Sequence, residues 1–174
     1  LCTGTGCVAI SVAKHFPQAE VLASDMNPAA VALARQNAAR HEVRVEFYEG
    51  DLFDALSADT APFNLIVSNP PYVAVGEWEG LAPDIRLHED PGALLAGEDG
   101  LDIVRRIITD APRWLMQGGL LALEVGETHF EDVSSLLQAA GYARIHFRRD
   151  LAGIKRIIYG ECERGRPVES LSES

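Results

Sequence analysis

The sequence predicts an α/β fold, a doubly wound and mostly parallel sheet with an antiparallel edge hairpin. Three observations carry the prediction. Short apolar runs alternate with helix-period segments along most of the chain, the pattern of parallel strands joined by covering helices. The last two apolar runs are joined by Arg148-Arg149-Asp150-Leu151-Ala152-Gly153 without an intervening helix, so they pair as a hairpin. Glycines or acidic residues follow several strand ends, where ligands of open α/β sheets bind.

In chain order, Thr3-Gly4-Thr5-Gly6 reads as a strand-to-helix turn leading into a helix from about Cys7 to Phe16. A strand follows at Glu20–Ser24, then a helix at Pro28–Arg40, with Asn27 as its cap and proline in its first turn. Strands are expected at Val43–Tyr48 and in the run Phe63-Asn64-Leu65-Ile66-Val67-Ser68. Val73 to Gly97, rich in Gly, Pro and charge, reads as a loop. Leu101–Met116 reads as a helix, Gly119–Val125 as a buried strand, Phe130–Ala140 as a helix, and Tyr142–Phe147 and Ile154–Gly160 as the hairpin strands. Because the chain opens inside a turn, a first, central strand is expected upstream of Leu1. Residues 1–161 are expected to form one domain and 162–174 a polar tail.

At 174 residues and 47% hydrophobic, the chain suffices for one domain with a sizeable core. A net charge of −11 argues against a broad footprint on duplex nucleic acid, where binding rests on phosphate neutralisation. No direct nucleic-acid partner is expected; protein or small-molecule substrates fit better. Cys2, Cys7 and Cys162 lack paired C-x-x-C spacing, which points to neither a disulfide framework nor a zinc site and makes a reducing cytoplasm the expected setting. No apolar run reaches the roughly 18 residues of a membrane span, and the first residues do not resemble a secretion signal.

The most informative stretch is Asn69-Pro70-Pro71-Tyr72, at the end of a buried-strand pattern. An amide or exocyclic amine is a poor nucleophile because its lone pair is delocalised. It attacks a methyl donor only if acceptors hold its N–H groups and turn the lone pair toward the electrophile. Asn69 and the Pro70 carbonyl suit that role, the two prolines stiffen the loop, and Tyr72 can pack on a planar group. A plain turn is the alternative reading. Gly4 and Gly6 permit a tight turn and close approach of a ligand to the backbone; with Ala9 in the third glycine position, a simple helix-entry turn is an equal alternative. Asp25, about 20 residues on, is placed to accept ribose hydroxyls, the alternative being a solvated strand-end acid or a cap. Asp51 and Leu52 follow Gly50; an adenine amino group is one partner for Asp51, a turn the other reading.

Thr3-Gly4-Thr5-Gly6-Cys7, Asp25, Gly50-Asp51-Leu52-Phe53 and Ser68-Asn69-Pro70-Pro71-Tyr72 resemble, in that order, the motifs of class I S-adenosylmethionine-dependent methyltransferases, whose fold is Rossmann-like. Leu81-Ala82-Pro83-Asp84-Ile85-Arg86, Gly97-Glu98-Asp99-Gly100-Leu101-Asp102, Glu124-Val125-Gly126 and Asp150-Leu151-Ala152-Gly153 are similar to segments of HemK-type glutamine methyltransferases of peptide-chain release factors. The resemblance extends to about residue 161. It implies S-adenosyl-L-methionine as methyl donor, no metal, and a glutamine in the Gly-Gly-Gln loop of a release factor as substrate. It further implies that Gly4, Thr5 and Gly6 pass the methionine portion, Asp25 holds the ribose, Met26, Asp51 and Leu52 line the adenine, and Thr3 and Asn69 also belong to the donor's site. Asn69, Pro70, Pro71 and Tyr72 would bind the substrate amide, with Asn69, Pro70 and Tyr72 acting in catalysis. In that family a glycine usually stands where this chain has Cys2, and a helical N-terminal domain accompanies the catalytic one. A ribosomal-protein glutamine methyltransferase, an adenine or cytosine amino-methyltransferase and a catalytically silent binding module remain as alternatives.

His15, His41, His88, His129 and His146 have no ligand spacing and read as surface or helix-end residues. Asp84, Glu89 and Asp90 read as solvated loop charges, Arg105 and Arg106 as a charged helix face.

Overall fold

Residues 1–166 are described by the structure, a computed structural model, and the chain divides after Thr60 into two units. The first contains α1 (Cys7–His15), β1 (Leu22–Asp25), α2 (Pro28–Arg40) and β2 (Glu46–Glu49), followed by a 3-10 turn at Leu52–Ala55. β1 and β2 run parallel, with Leu22 opposite Glu46 and Asp25 opposite Glu49. α2 starts where expected: the Asn27 side chain accepts the Ala29 and Ala30 N–H groups at 2.9 and 3.4 Å, and Pro28 sits where no N–H is needed. Val31, Ala34 and Ala38, on one face of α2, pack with Ile10, Ala23 and Phe47 as this unit's core. Ala34 is small enough for Gly6 to approach closely, since a methyl group on Gly6 would stand 3.0 Å from the Ala34 Cβ.

The second unit contains β3 (Phe63–Ser68), α3 (Pro83–His88), α4 (Asp102–Asp110), β4 (Leu115–Glu124), α5 (Phe130–Ala139), β5 (Tyr142–Arg149) and β6 (Lys155–Cys162). Its sheet has the order β3-β4-β6-β5. β3 and β4 are parallel, while β6 is antiparallel to both β4 and β5, giving the predicted edge hairpin. The carboxyl ends of β3, β4 and β5 therefore share one edge of this sheet. Asp150 shapes the hairpin turn, its Oδ1 accepting the Ala152 and Ile154 N–H groups at 2.9 and 3.0 Å. Leu121 and Leu123 of β4 are fully buried, as are Val104 and Ile107 of α4 and Val133 and Leu137 of α5, the strand and helix periods meeting in one apolar layer.

Three expectations are corrected. The helix predicted over Leu101–Met116 stops at Asp110, because Ala111-Pro112-Arg113 forms a 3-10 turn and proline has no N–H to continue the ladder; Leu115 and Met116 instead begin β4. The predicted loop from Val73 to Gly97 contains α3, opened by Pro83, and 3-10 turns at Val75–Gly80 and Pro91–Ala93. Residues 162–166, expected to belong to a polar tail, are instead part of the fold: Cys162 is buried in β6, and the Arg166 N–H donates to the Leu115 carbonyl at 2.7 Å. The remainder of that expected tail, 167–174, lies outside the described residues. Among the described residues, no helix is long and apolar enough to cross a membrane.

Candidate functional site

In the first unit, the predicted ligand residues gather at the carboxyl ends of β1 and β2. Asp25, the last residue of β1, is half-buried, and each of its carboxylate oxygens takes a backbone N–H: Oδ2 from Gly4 at 2.8 Å and Oδ1 from Asn27 at 2.9 Å. The Gly50 N–H donates to the Asp25 carbonyl at 3.0 Å, which ties the end of β1 to the segment leaving β2. Asp25 is thus a hub that orders the glycine turn. A carboxylate oxygen accepts more than one hydrogen bond, so this engagement leaves capacity for ligand hydroxyls.

Gly4 has φ +53° and a methyl group built on it would meet nothing within 4 Å, so the turn presents bare backbone to open space. The Gly6 N–H donates to the Thr3 carbonyl at 2.9 Å, and the Asn37 side chain donates to the Thr5 carbonyl at 3.0 Å. Thr5 is exposed, Thr3 half-buried and Met26 68% exposed. Asp51 is half-buried and heads the 3-10 turn, its carbonyl accepting the Asp54 N–H at 3.0 Å. Leu52 is buried with φ +50°, and its carbonyl accepts the Ser24 hydroxyl at 3.4 Å. A left-handed leucine is unfavourable and marks a segment constrained by its surroundings. Cys2, where the resembled family has glycine, also has a positive φ, +51°. An open glycine turn, a strand-end carboxylate and an exposed methionine are the groups a nucleoside carrying an amino-acid tail requires. The residues fit such a ligand.

In the second unit, Asn69 leaves the carboxyl end of β3. Its side chain is exposed, with no hydrogen-bond partner among the described residues. Pro70 beside it is fully buried, and Pro71 and Tyr72 are half-buried. The anchored proline therefore holds the neighbouring amide out to solvent. Two further segments brace this loop. Val73 forms a parallel bridge with Leu95, the Ala96 N–H donates to the Val73 carbonyl at 2.9 Å, and the Val75 N–H to the Gly97 carbonyl at 2.9 Å. Gly100, at φ +74°, lies so near that a methyl group on it would fall 2.4 Å from the Tyr72 carbonyl oxygen. Asp99 fixes this stretch by accepting the Leu101 N–H at 3.2 Å and two Arg105 bonds at 2.9 and 2.5 Å. The Arg105 guanidinium holds the Asp99 carboxyl down at about 2. The Gly-Glu-Asp-Gly-Leu-Asp segment thus has a physical task, to support the Asn-Pro-Pro-Tyr loop from behind.

Sequence reasoning missed His129. It stands at the N-terminus of α5 as expected of a helix-end residue, but it is buried, only 9% exposed. His15, His41, His88 and His146 are exposed. The Glu124-Val125-Gly126 motif lies three residues before His129 and was the one available pointer, because Gly126 packs directly on its ring. Asp84, Glu89 and Asp90 are exposed, but Asp84 lies in the first turn of α3 and Asp90 accepts the Gly92 N–H at 2.9 Å, so of the three expected loop charges these two have structural places. Among the described residues no group of three or more His, Cys, Asp or Glu is placed to hold a metal ion.

Comparison with known proteins bears on the fold and on the sequence as a whole. The family model of the methyltransferase small domain matches residues 1–82. A methyltransferase from Pyrococcus furiosus superposes with a TM-score of 0.69 at 18% identity, covering 94% of this chain and 72% of that one. TrmN from Thermus thermophilus superposes with a TM-score of 0.59 at 21% identity, covering 92% and 42%. The chain therefore has the class I methyltransferase fold. Within that class, its sequence is similar to release factor glutamine methyltransferases. That of Geobacter sulfurreducens is 41% identical over 157 residues, covering 90% of this chain and 55% of the relative. That of Bordetella pertussis is 45% identical over 158 residues, covering 91% and 58%. The chain spans just over half the length of these relatives.

Proposed function

We propose that this chain is the catalytic domain of an S-adenosylmethionine-dependent methyltransferase that modifies the side-chain nitrogen of a glutamine in a peptide-chain release factor, in its Gly-Gly-Gln loop, in the cytoplasm. The observation that carries the reading is Asn69: an exposed amide, without a hydrogen-bond partner among the described residues, held at a strand end by a buried proline. Such a group accepts one N–H of a substrate amide while the Pro70 carbonyl accepts the other, turning the nitrogen lone pair toward its electrophile. S-adenosylmethionine supplies, when bound, a methyl group made electrophilic by its sulfonium.

Thr3 to Gly6 accommodate the methionine portion of that donor, Asp25 accepts its ribose hydroxyls, and Met26, Asp51 and Leu52 border its adenine. Tyr72 and Pro71 wall the flat amide slot. Nothing in this chemistry asks for a strong base, because the amide nitrogen sheds its extra proton readily once alkylated. Catalysis rests on alignment. The names of the similar sequences favour a release factor over a nucleobase as the owner of the amide.

The test is a radiolabelled methyl-transfer assay with the full-length protein, offering a release factor, ribosomal protein and total RNA in parallel. Label is expected in the release factor, and at its Gly-Gly-Gln glutamine on peptide mapping. Label confined to RNA or to ribosomal protein overturns the substrate assignment, and a protein that neither transfers label nor binds S-adenosylmethionine by calorimetry is not an enzyme of this class.

A further inference from the structure

Resting on that reading, we infer that His129 is a positioning residue for the amide slot: it seats Tyr72 through the side-chain-free positions Gly100 and Gly126. The observation is a double one. A methyl group built on Gly126 would stand 2.9 Å from His129 Nδ1 and 3.3 Å from Cδ2 of the Tyr72 ring. A methyl group built on Gly100 would stand 2.9 Å from His129 Cε1 and 2.4 Å from the Tyr72 carbonyl oxygen. His129, through its Nδ1–Cε1 edge, and Tyr72, through its ring and its backbone carbonyl, therefore flank the same two glycines, where neither position has room for a side chain.

His129 is itself held firmly. Its N–H donates to the Gly126 carbonyl at 3.1 Å and its carbonyl accepts the Val133 N–H at 2.9 Å, so the ring is carried on the first turn of α5. The Nδ1 atom is buried and has no hydrogen-bond partner among the described residues. An apolar side chain of similar volume would fill the place without leaving a polar atom unsatisfied. A buried polar group kept without a partner is the kind of local inconsistency that marks a functional position. The flat, compact imidazole is what fits between two glycines behind a tyrosine. Its displacement would move Tyr72 and with it the slot that Pro70 and Asn69 complete.

The experiment compares full-length wild type with H129L, H129Q and G126A by two readouts. The first is the Tyr72 ring resonance in protein carrying labelled tyrosine, assigned with Y72F. The second is steady-state transfer to a release factor. H129L and G126A are expected to shift the Tyr72 resonance and to lower kcat about tenfold or more with S-adenosylmethionine affinity unchanged within about threefold. H129Q, which keeps a polar planar group, is expected to recover at least half of kcat. An unmoved Tyr72 resonance in H129L overturns the inference, as does wild-type kcat in H129L; G126A, whose methyl group would itself press on the Tyr72 ring, serves to show that the resonance reports on the slot. Should H129L melt early, H129A decides by the same two readouts. If the wild type transfers nothing, the functional reading falls, and the resonance alone judges whether His129 positions Tyr72.

Discussion

The Gly4 amide donates to Asp25 Oδ2 at 2.8 Å, across 21 residues of sequence. Two residues that sequence reasoning assigned to separate parts of a ligand are thus one structural unit, and the other oxygen of Asp25 caps the backbone of Asn27 at 2.9 Å. An acid at this position shapes the glycine turn before any ligand arrives.

Replacing Asp25 therefore removes more than a ligand contact. Hydrogen bonds to a charged group contribute roughly 1.5–3 kcal/mol each, but both bonds to Asp25 are only part-buried and water replaces much of what is lost, so Asp25→Ala is expected to lower unfolding free energy by about 1–3 kcal/mol in total and to weaken S-adenosylmethionine binding at least about tenfold, or about 1.4 kcal/mol. Asp25→Asn keeps one acceptor oxygen but turns a second donor toward Gly4 or Asn27, and should fall between the two. Chemical denaturation and calorimetry on the same preparations give both numbers. Binding lost with stability untouched would show that the Gly4 and Asn27 contacts carry little.

Asn69 should behave in the opposite way. Its side chain is exposed and makes no hydrogen bond among the described residues, so Asn69→Ala is expected to change stability by less than about 0.5 kcal/mol. Turnover should fall on the order of 10²–10³-fold, the usual effect of removing one preorganised hydrogen-bonding group. The check is kcat beside a melting curve. Normal turnover would remove Asn69 from the mechanism.

Much of this was legible in the sequence because local chemistry and global architecture agree. Pro28 behind Asn27, the apolar face Val31, Ala34, Ala38, and the helix-free connection from Arg148 to Gly153 each state their structure within a few residues. What was not legible depends on distant neighbours. That Pro112 ends a helix is local, yet whether the following Leu115 and Met116 turn into strand is decided by pairing with Phe63, whose N–H donates to the Trp114 carbonyl at 2.7 Å. The role of Asp99 behind Tyr72 and the burial of His129 are likewise products of packing between segments far apart in sequence. No periodicity reports them.

Gly100 tests that packing directly. Its φ of +74° and the Tyr72 carbonyl oxygen 2.4 Å from the place of a methyl group leave no room for alanine. Backbone is less able to yield than a side chain, and the left-handed conformation alone costs roughly 1–2 kcal/mol for a residue with a Cβ. Gly100→Ala is expected to destabilise the protein by at least about that amount and to lower kcat. Gly76→Ala serves as control, because a methyl group there would meet nothing within 4 Å. Comparable losses in both variants would detach the effect from the Asn-Pro-Pro-Tyr loop.

The Asp99 to Arg105 link predicts a pH dependence of definite sign. The Arg105 guanidinium, with the Leu101 N–H adding to it, holds the folded-state carboxyl of Asp99 at about 2, below the roughly 3.9 of an unfolded aspartate. A carboxyl depressed in the folded state contributes stability that is fully present above its unfolded value and is lost as pH falls through the folded one. Wild type should therefore exceed Asp99→Asn in urea midpoint at pH 7, and the gap should narrow continuously from about pH 5 toward about pH 2. Both side chains are partly exposed, so the gap should also shrink in high salt. Denaturation of both proteins across that pH range measures it. A gap that stays constant down to pH 3 would mean that Asp99 acts through the shape of its turn, and that its charge on Arg105 contributes nothing to holding Gly100 against Tyr72.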